Sequence, residues 1–292
     1  MDVRRNTYVW ILWMMAAMLT GILTYNPIYL SMLLLITVVI SMALNIDWTR
    51  PLKVGFFFGV LPLIFNIFFV HIGNHVIMDI PLSVSLYNIA IPVLFISGPI
   101  TLEAVLFGFI MMLLLIDMVM IFSIFNSVTT PDSILNIMPK AFSQSALVTA
   151  IGMRFTSTIK DDINSIRDAQ LSRGLNLNKG NLIQKIKSRI SIINPTIINS
   201  LERSFNLAES MASRGYTGRR TRYYKERWSL YDFFNIFVLL LVLAIVFSLK
   251  FGGSLEYWPY TSLELPRFNI MVVISSLLLV LPSIGKNEDN RV

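Results

Sequence analysis

Eighty-six consecutive residues, Val54 to Pro139, contain no lysine or arginine, whereas the next 88, residues 140–227, contain 16. A chain divided in this way is built for two solvents. Only 14% of its 292 residues are charged and 55% are hydrophobic, against roughly a quarter charged in average soluble proteins. Several apolar runs approach the ~20 residues that cross a bilayer core. The reading is a polytopic membrane protein rather than a soluble globular enzyme. There are no cysteines, which excludes disulfides, iron–sulfur clusters and thiolate zinc sites.

Six spans are predicted: Tyr8–Thr24, Ile28–Ile46, Val54–Ile72, Thr101–Phe125, Tyr231–Lys250 and Phe268–Ile284. Arg4-Arg5 ahead of the first run resembles a signal-peptide start. No small-residue cleavage site follows before Tyr25-Asn26-Pro27, so the run is read as a first transmembrane helix. Trp10, Trp13 and Trp48 fall near predicted span ends, where indole rings favour the headgroup region. The 16 cations of residues 140–227 outweigh six acids for a formal +10, and loops rich in lysine and arginine stay in the cytoplasm. Arg4-Arg5, Arg50-Lys53, the basic block and the C-terminal tail are therefore expected inside. The outer loops then carry only Lys250 and Arg267. Val76–Ile100 is apolar but broken by Asp79, Pro81, Pro92, Gly98 and Pro99. It is expected to be an outer interfacial or re-entrant segment, because a seventh crossing would turn the basic block outward.

The division is therefore residues 1–125 as four spans, 126–230 as a cytoplasmic domain, 231–285 as two further spans and 286–292 as a tail. Within the cytoplasmic part, Ala141–Met153 is apolar for about 13 residues, the length of an interfacial or core helix. Ile163, Ile166, Ala169, Gln170 and Arg173 advance by three or four along one helical face, and Gly174 is placed to end that helix. Pro195 is read as opening a second helix. There Ile197, Leu201, Phe205, Ala208 and Met211 form an apolar stripe with Arg214 close to its line, and Gly215 stops it. The same string, Ser-Arg-Gly-apolar, thus closes both helices: Ser172-Arg173-Gly174-Leu175 and, 41 residues on, Ser213-Arg214-Gly215-Tyr216. Capping explains each copy alone, since arginine in a last turn complements the negative helix end. Repetition in one context points further, to two exposed ends that each offer a planar five-donor fork to another protein.

Taken in order, these residues resemble the transmembrane T component of energy-coupling factor (ECF) transporters, the EcfT/CbiQ-like family. The likeness covers Pro99 to about Thr217. It runs through Pro99-Ile100-Thr101-Leu102-Glu103, Thr129-Thr130-Pro131-Asp132, Pro139 and Met153-Arg154-Phe155. It continues through Asp168-Ala169-Gln170-Leu171-Ser172-Arg173-Gly174, Asn194-Pro195 and Glu209-Ser210-Met211-Ala212-Ser213-Arg214-Gly215-Tyr216. The resemblance implies an all-α membrane scaffold with about six transmembrane helices and a cytoplasmic pair of amphipathic coupling helices. It implies two ABC-type ATPases and a small substrate-binding membrane S component as partners, and vitamin or transition-metal import at a prokaryotic cell membrane. Arg173 and Arg214 would be the ATPase-docking residues, with Ser172, Gly174, Ser213 and Gly215 shaping the helix ends. Serine stands here where the family usually has alanine, and Thr156-Ser157 where it commonly has proline.

Other signals are weaker. Asp117 lies deep in an apolar run, where a charge is costly and functional by default. A proton-coupled secondary carrier could use it, but no second intramembrane acid and no inverted repeat accompany it. It is expected to be protonated or paired inside the bundle. Glu103 is expected at the outer helix end, where it favours the N-terminus. His71 and His75 have metal-compatible spacing only if helical, and Gly73-Asn74 between them suggests a turn. Arg219, Arg220, Arg222, Lys225 and Arg227 with Tyr223, Tyr224 and Trp228 precede a span, which fits anionic headgroups better than nucleic acid. No Walker P-loop string occurs, so ATP binding, catalysis and a cofactor are not expected of this chain.

Overall fold

The computed structural model describes residues 6–70, 72–80, 98–138, 142–174, 182–216, 228–253, 255 and 269–284. The described residues are helical apart from one short ribbon and the turns between elements, and the chain divides into a unit of residues 1–130 with 226–292 and a second unit of residues 131–225.

The first unit opens with α1 (Thr7–Leu23) and α2 (Pro27–Ala43), two 17-residue helices. Asn6 and Asn26 cap them by accepting from the Tyr8 and Ile28 amides, and Pro27 takes the first-turn position that needs no N–H. Next come α3 (Thr49–Phe69), α4 (Leu102–Val128) and α8 (Leu230–Phe251). Among the described residues these three are long and apolar enough to cross a membrane. Asp47 anchors the start of α3: it accepts from the Thr49 hydroxyl at 2.7 Å, which holds its carboxyl below the usual carboxylate range, and pairs with Arg50 at 3.0 Å. Ser229 and Asp232 form a reciprocal capping box at the start of α8.

The last predicted span is interrupted. It forms α9 (Ile270–Leu278) and a one-turn α10 (Leu281–Ile284), because Pro282 cannot donate to Leu278 and its ring opposes that carbonyl. The break is filled from elsewhere. The Trp13 indole donates to the Leu279 carbonyl at 2.9 Å, and the Tyr231 hydroxyl to that of Leu281 at 2.8 Å. Trp10 and Trp13, expected at headgroup level, are instead buried in the bundle. A large ring with one polar atom can sit inside when the fold supplies an acceptor.

Helix α4 is the axis of this unit, packing against α1, α2 and α3. Its contact with α3 is made by small residues. A Cβ on Gly55 would lie 3.1 Å from the Ile116 Cα and one on Gly59 3.1 Å from the Met112 Cγ, while Gly108 answers from α4 against the Leu63 Cα at 3.1 Å. Gly55-Phe56-Phe57-Phe58-Gly59 is thus a small-xxx-small packing face, and the phenylalanines between point outward and are exposed.

Between α3 and α4 the chain forms a ribbon, β1 (Val76–Ile80) antiparallel to β2 (Gly98–Thr101), with Val76 opposite Thr101. The ladder brings both ends of the segment expected to be interfacial or re-entrant to one place; residues 81–97 lie outside the described set. Glu103 holds this corner. Glu103 lies in the first turn of α4, as expected, and Thr101 caps the helix by accepting from the Ala104 amide. The nearly buried Glu103 carboxylate accepts from the Asn74 and His75 amides at 3.1 and 3.2 Å and meets His75 Nδ1 at 2.9 Å. Gly73 makes the approach possible: its φ is +147°, and a Cβ there would lie 2.5 Å from Glu103 Oε2. Gly73→Ala should therefore lower the thermal midpoint of the purified protein more than Gly152→Ala, where a Cβ meets nothing within 4 Å. Equal midpoints for the two variants would remove this role from Gly73. His71 lies outside the described residues.

Candidate functional site

The second unit contains α5 (Pro131–Ile137), α6 (Ser143–Ser172) and α7 (Leu182–Ser213). Two boundaries differ from expectation. The apolar stretch 141–153 is not a separate short helix; from Ser143 it forms about the first third of the 30-residue α6. The helix runs through Thr156-Ser157 because no proline interrupts it there. Their hydroxyls bond back to the Gly152 and Arg154 carbonyls at 2.9 and 3.0 Å. Nor does Pro195 open α7. The helix begins 13 residues earlier, at Leu182, and Pro195 lies inside it. Proline removes one backbone bond, and an uninterrupted helix on both sides absorbs that loss; just beyond it the Thr196 hydroxyl donates to the Ile192 carbonyl at 2.8 Å.

Both long helices end on the repeated string. Arg173 is the C-cap of α6, and Gly174 follows at φ +89° with its amide on the Leu171 carbonyl at 2.9 Å. At the end of α7, Gly215 has φ +71° and its amide bonds the Ala212 carbonyl at 2.9 Å. The Tyr216 amide reaches back to Met211 at 3.0 Å, completing a Schellman closure. Glycine is needed at both positions for its left-handed backbone, since nothing lies within 4 Å of either missing Cβ. The serine hydroxyls fold back on their own helices, Ser172 to Asp168 O and Ser213 to Ser210 O, each at 3.0 Å. This keeps the position as compact as alanine. Ser172, Arg173, Gly174, Ser213, Arg214 and Gly215 are all exposed. Among the described residues neither Arg173 nor Arg214 forms an ion pair.

An ion pair joins the two helices upstream of these ends. Arg203 Nη2 lies 3.0 Å from Asp162 Oδ2. Asp162 precedes Arg173 by 11 residues and Arg203 precedes Arg214 by 11, so each arm extends about 16 Å beyond the bridge. Nothing local in the sequence joins this pair; the one signal for it is that its 41-residue separation equals that of the two arginines.

The sequence matches, over residues 3–224, the family described as CbiQ, cobalt transport protein. The chain belongs to this family. A protein of Lactobacillus helveticus named energy-coupling factor transporter transmembrane protein EcfT is 42% identical over 106 residues, 35% of this chain and 38% of the relative. Proteins of the same name from Staphylococcus aureus and Bacillus selenitireducens are each 31% identical, over 168 and 159 residues. Those two alignments cover 53% and 50% of this chain and 63% and 59% of the relatives. The chain thus spans between about a third and two thirds of the length of these relatives. It is an all-α polytopic membrane protein of the CbiQ/EcfT family.

Asp117 is the other residue to be placed. Its side chain is wholly buried on α4, and among the described residues neither carboxyl oxygen accepts or donates a hydrogen bond. Of the two states expected for it, protonated or paired, no partner for the second is found among the described residues.

Proposed function

We propose that this chain is the transmembrane scaffold and coupling subunit of an ATP-driven ECF-type importer. In this reading it is a non-catalytic member of a complex with two ABC-type ATPases and a small substrate-binding S component for vitamin or transition-metal uptake at the cell membrane. The supporting observation is the pair of matched helix ends. Two helices of 30 and 32 residues are tied to each other by Arg203–Asp162, and each ends on an exposed arginine, without an ion pair among the described residues, followed by a left-handed glycine. Such rods suit force transmission. ATP-driven approach of two ATPases would move the docked ends, with the ion pair equidistant from both, and stiff helices would carry the displacement onward as rigid-body motion. The basic cytoplasmic block and both termini lie inside in this scheme.

The alternative, a proton-coupled carrier, draws support from the buried Asp117 carboxyl without a hydrogen bond among the described residues. Reconstitution separates the two. With ABC ATPases and a small membrane partner in vesicles, uptake should require ATP hydrolysis and should survive Asp117→Asn. Uptake by this chain alone, driven by a proton gradient without ATP and lost in that variant, would replace the scaffold reading with the carrier.

A further inference from the structure

The Gly55 contact is where α3 closes on α4: an added Cβ would lie 3.1 Å from the Ile116 Cα and 3.5 Å from the Val119 Cβ. Nearer the start of α3 the two helices leave an open groove of about 500 Å³, within the size range of ligand pockets. Leu115, Val119, Phe122 and Asn126 line it from α4, and steps of four, three and four residues keep them on one helical face. Pro51 and Val54 form the other wall on the first turns of α3.

Polarity is graded along this groove. Its α4 wall is apolar from Leu115 to Phe122; Ser123 and Asn126 follow, and Arg50 completes the lining from α3. Asn126 is about 16 Å along the helix from Leu115 and two residues from its end at Val128. The polar end of the groove thus coincides with the end of a helix long and apolar enough to cross a bilayer. Arg50 is held ready there. Asp47 Oδ2 fixes its Nε at 3.0 Å, and Asp47 is itself fixed by the Thr49 hydroxyl at 2.7 Å. Among the described residues the two terminal nitrogens of Arg50 meet no acceptor, and the side chain is 88% exposed. Two N–H groups in one fixed plane match the oxygens of a phosphate.

We propose that this groove holds one phospholipid of the adjoining leaflet, with an acyl chain against Val54, Val119 and Phe122 and its phosphate on Arg50. Ser123 and Asn126 add donors beside that phosphate. Every phospholipid carries a phosphate at headgroup level and an apolar chain below it, so the bilayer itself supplies both complements. A protein segment in the same place would need an acid at that one depth. The site is independent of the docking roles of Arg173 and Arg214.

Photocrosslinking tests this. Phe122 and Phe57 are 56% and 71% exposed, so either ring can be replaced by p-benzoylphenylalanine without overfilling a buried space. Both versions of the full chain are irradiated in the membranes of the cells that make them, with every partner present, and the adducts are identified by mass. The Phe122 position should yield a phospholipid adduct that falls about fivefold in Arg50→Gln. Val54→Trp, which fills the groove with Arg50 intact, should lower it at least as far. The Phe57 position, which lines no part of the groove, should yield lipid adducts that neither variant changes; this also shows that the variants fold, as expected when an exposed ion pair contributes little to stability. A polypeptide adduct at Phe122 would make the groove a protein contact. A lipid adduct there that is indifferent to both variants would make it ordinary bilayer. Either result overturns the proposal.

Discussion

Replacing both Arg173 and Arg214 with alanine is expected to abolish co-purification of ABC-type ATPases with the chain. Truncating one charged partner at a desolvated interface costs about 2–5 kcal/mol, or roughly 30- to several-thousand-fold in affinity per site. Losing both should leave no complex at purification concentrations. The capping role of the same residues predicts something quite different. An exposed cation in a last helical turn contributes about 0.3–1 kcal/mol, and neither arginine has an ion-pair partner within the described chain to lose. The double variant should therefore keep the thermal midpoint of the parent while losing its ATPases. Arginine-to-lysine variants should fall between, because the charge stays and the planar fork is lost. Gly174→Ala and Gly215→Ala are the complementary controls: they strain a left-handed backbone by about 1–2 kcal/mol and should act on the helix ends before they act on docking. Unchanged ATPase recovery from the double alanine variant would sink the docking assignment.

Gly55→Leu combined with Gly59→Leu should destabilise the membrane unit severely, because both side chains would be driven into a helix that cannot yield. At both positions the neighbour is α4, with the Ile116 Cα 3.1 Å from one added Cβ and the Met112 carbonyl oxygen 3.2 Å from the other. Backbone cannot rotate aside, so the helices must separate. Overpacking a close contact costs about 1–3 kcal/mol per site, and two sites one turn apart on the same face compound. Thermal unfolding followed by size-exclusion in detergent should show the double variant aggregating at temperatures the parent withstands. Phe57→Leu, whose parent ring is 71% exposed between the two glycines, should leave the profile alone. If the glycine variants match that control, close approach of α3 and α4 is not what holds the unit together.

Much of this architecture is legible in residue order. Apolar run length and proline positions mark the helices, and the Ser-Arg-Gly repeat marks two helix ends that the fold closes with left-handed glycines. What escaped was of one kind. Pro195 reads as a first-turn proline because local preference favours it there, yet Leu182 to Asn194 is periodic enough to continue the helix through it. Trp13 reads as a headgroup anchor until the broken last span supplies a carbonyl 266 residues away. Glu103 reads as a helix-dipole partner and does lie in the first turn of α4, but the turn that Gly73 lets fold onto its carboxylate is not legible from that position.

Solvent preference is a property of each segment, so hydropathy and charge alone could assign this chain to a membrane, set its basic block apart and offer two arginine ends. Pairing is a property of two segments distant in sequence. That Asp162 meets Arg203 and that α3 seats its glycines on α4 depend on which helices share a contact. Helical periodicity specifies a face without naming its neighbour, and only packing supplies one.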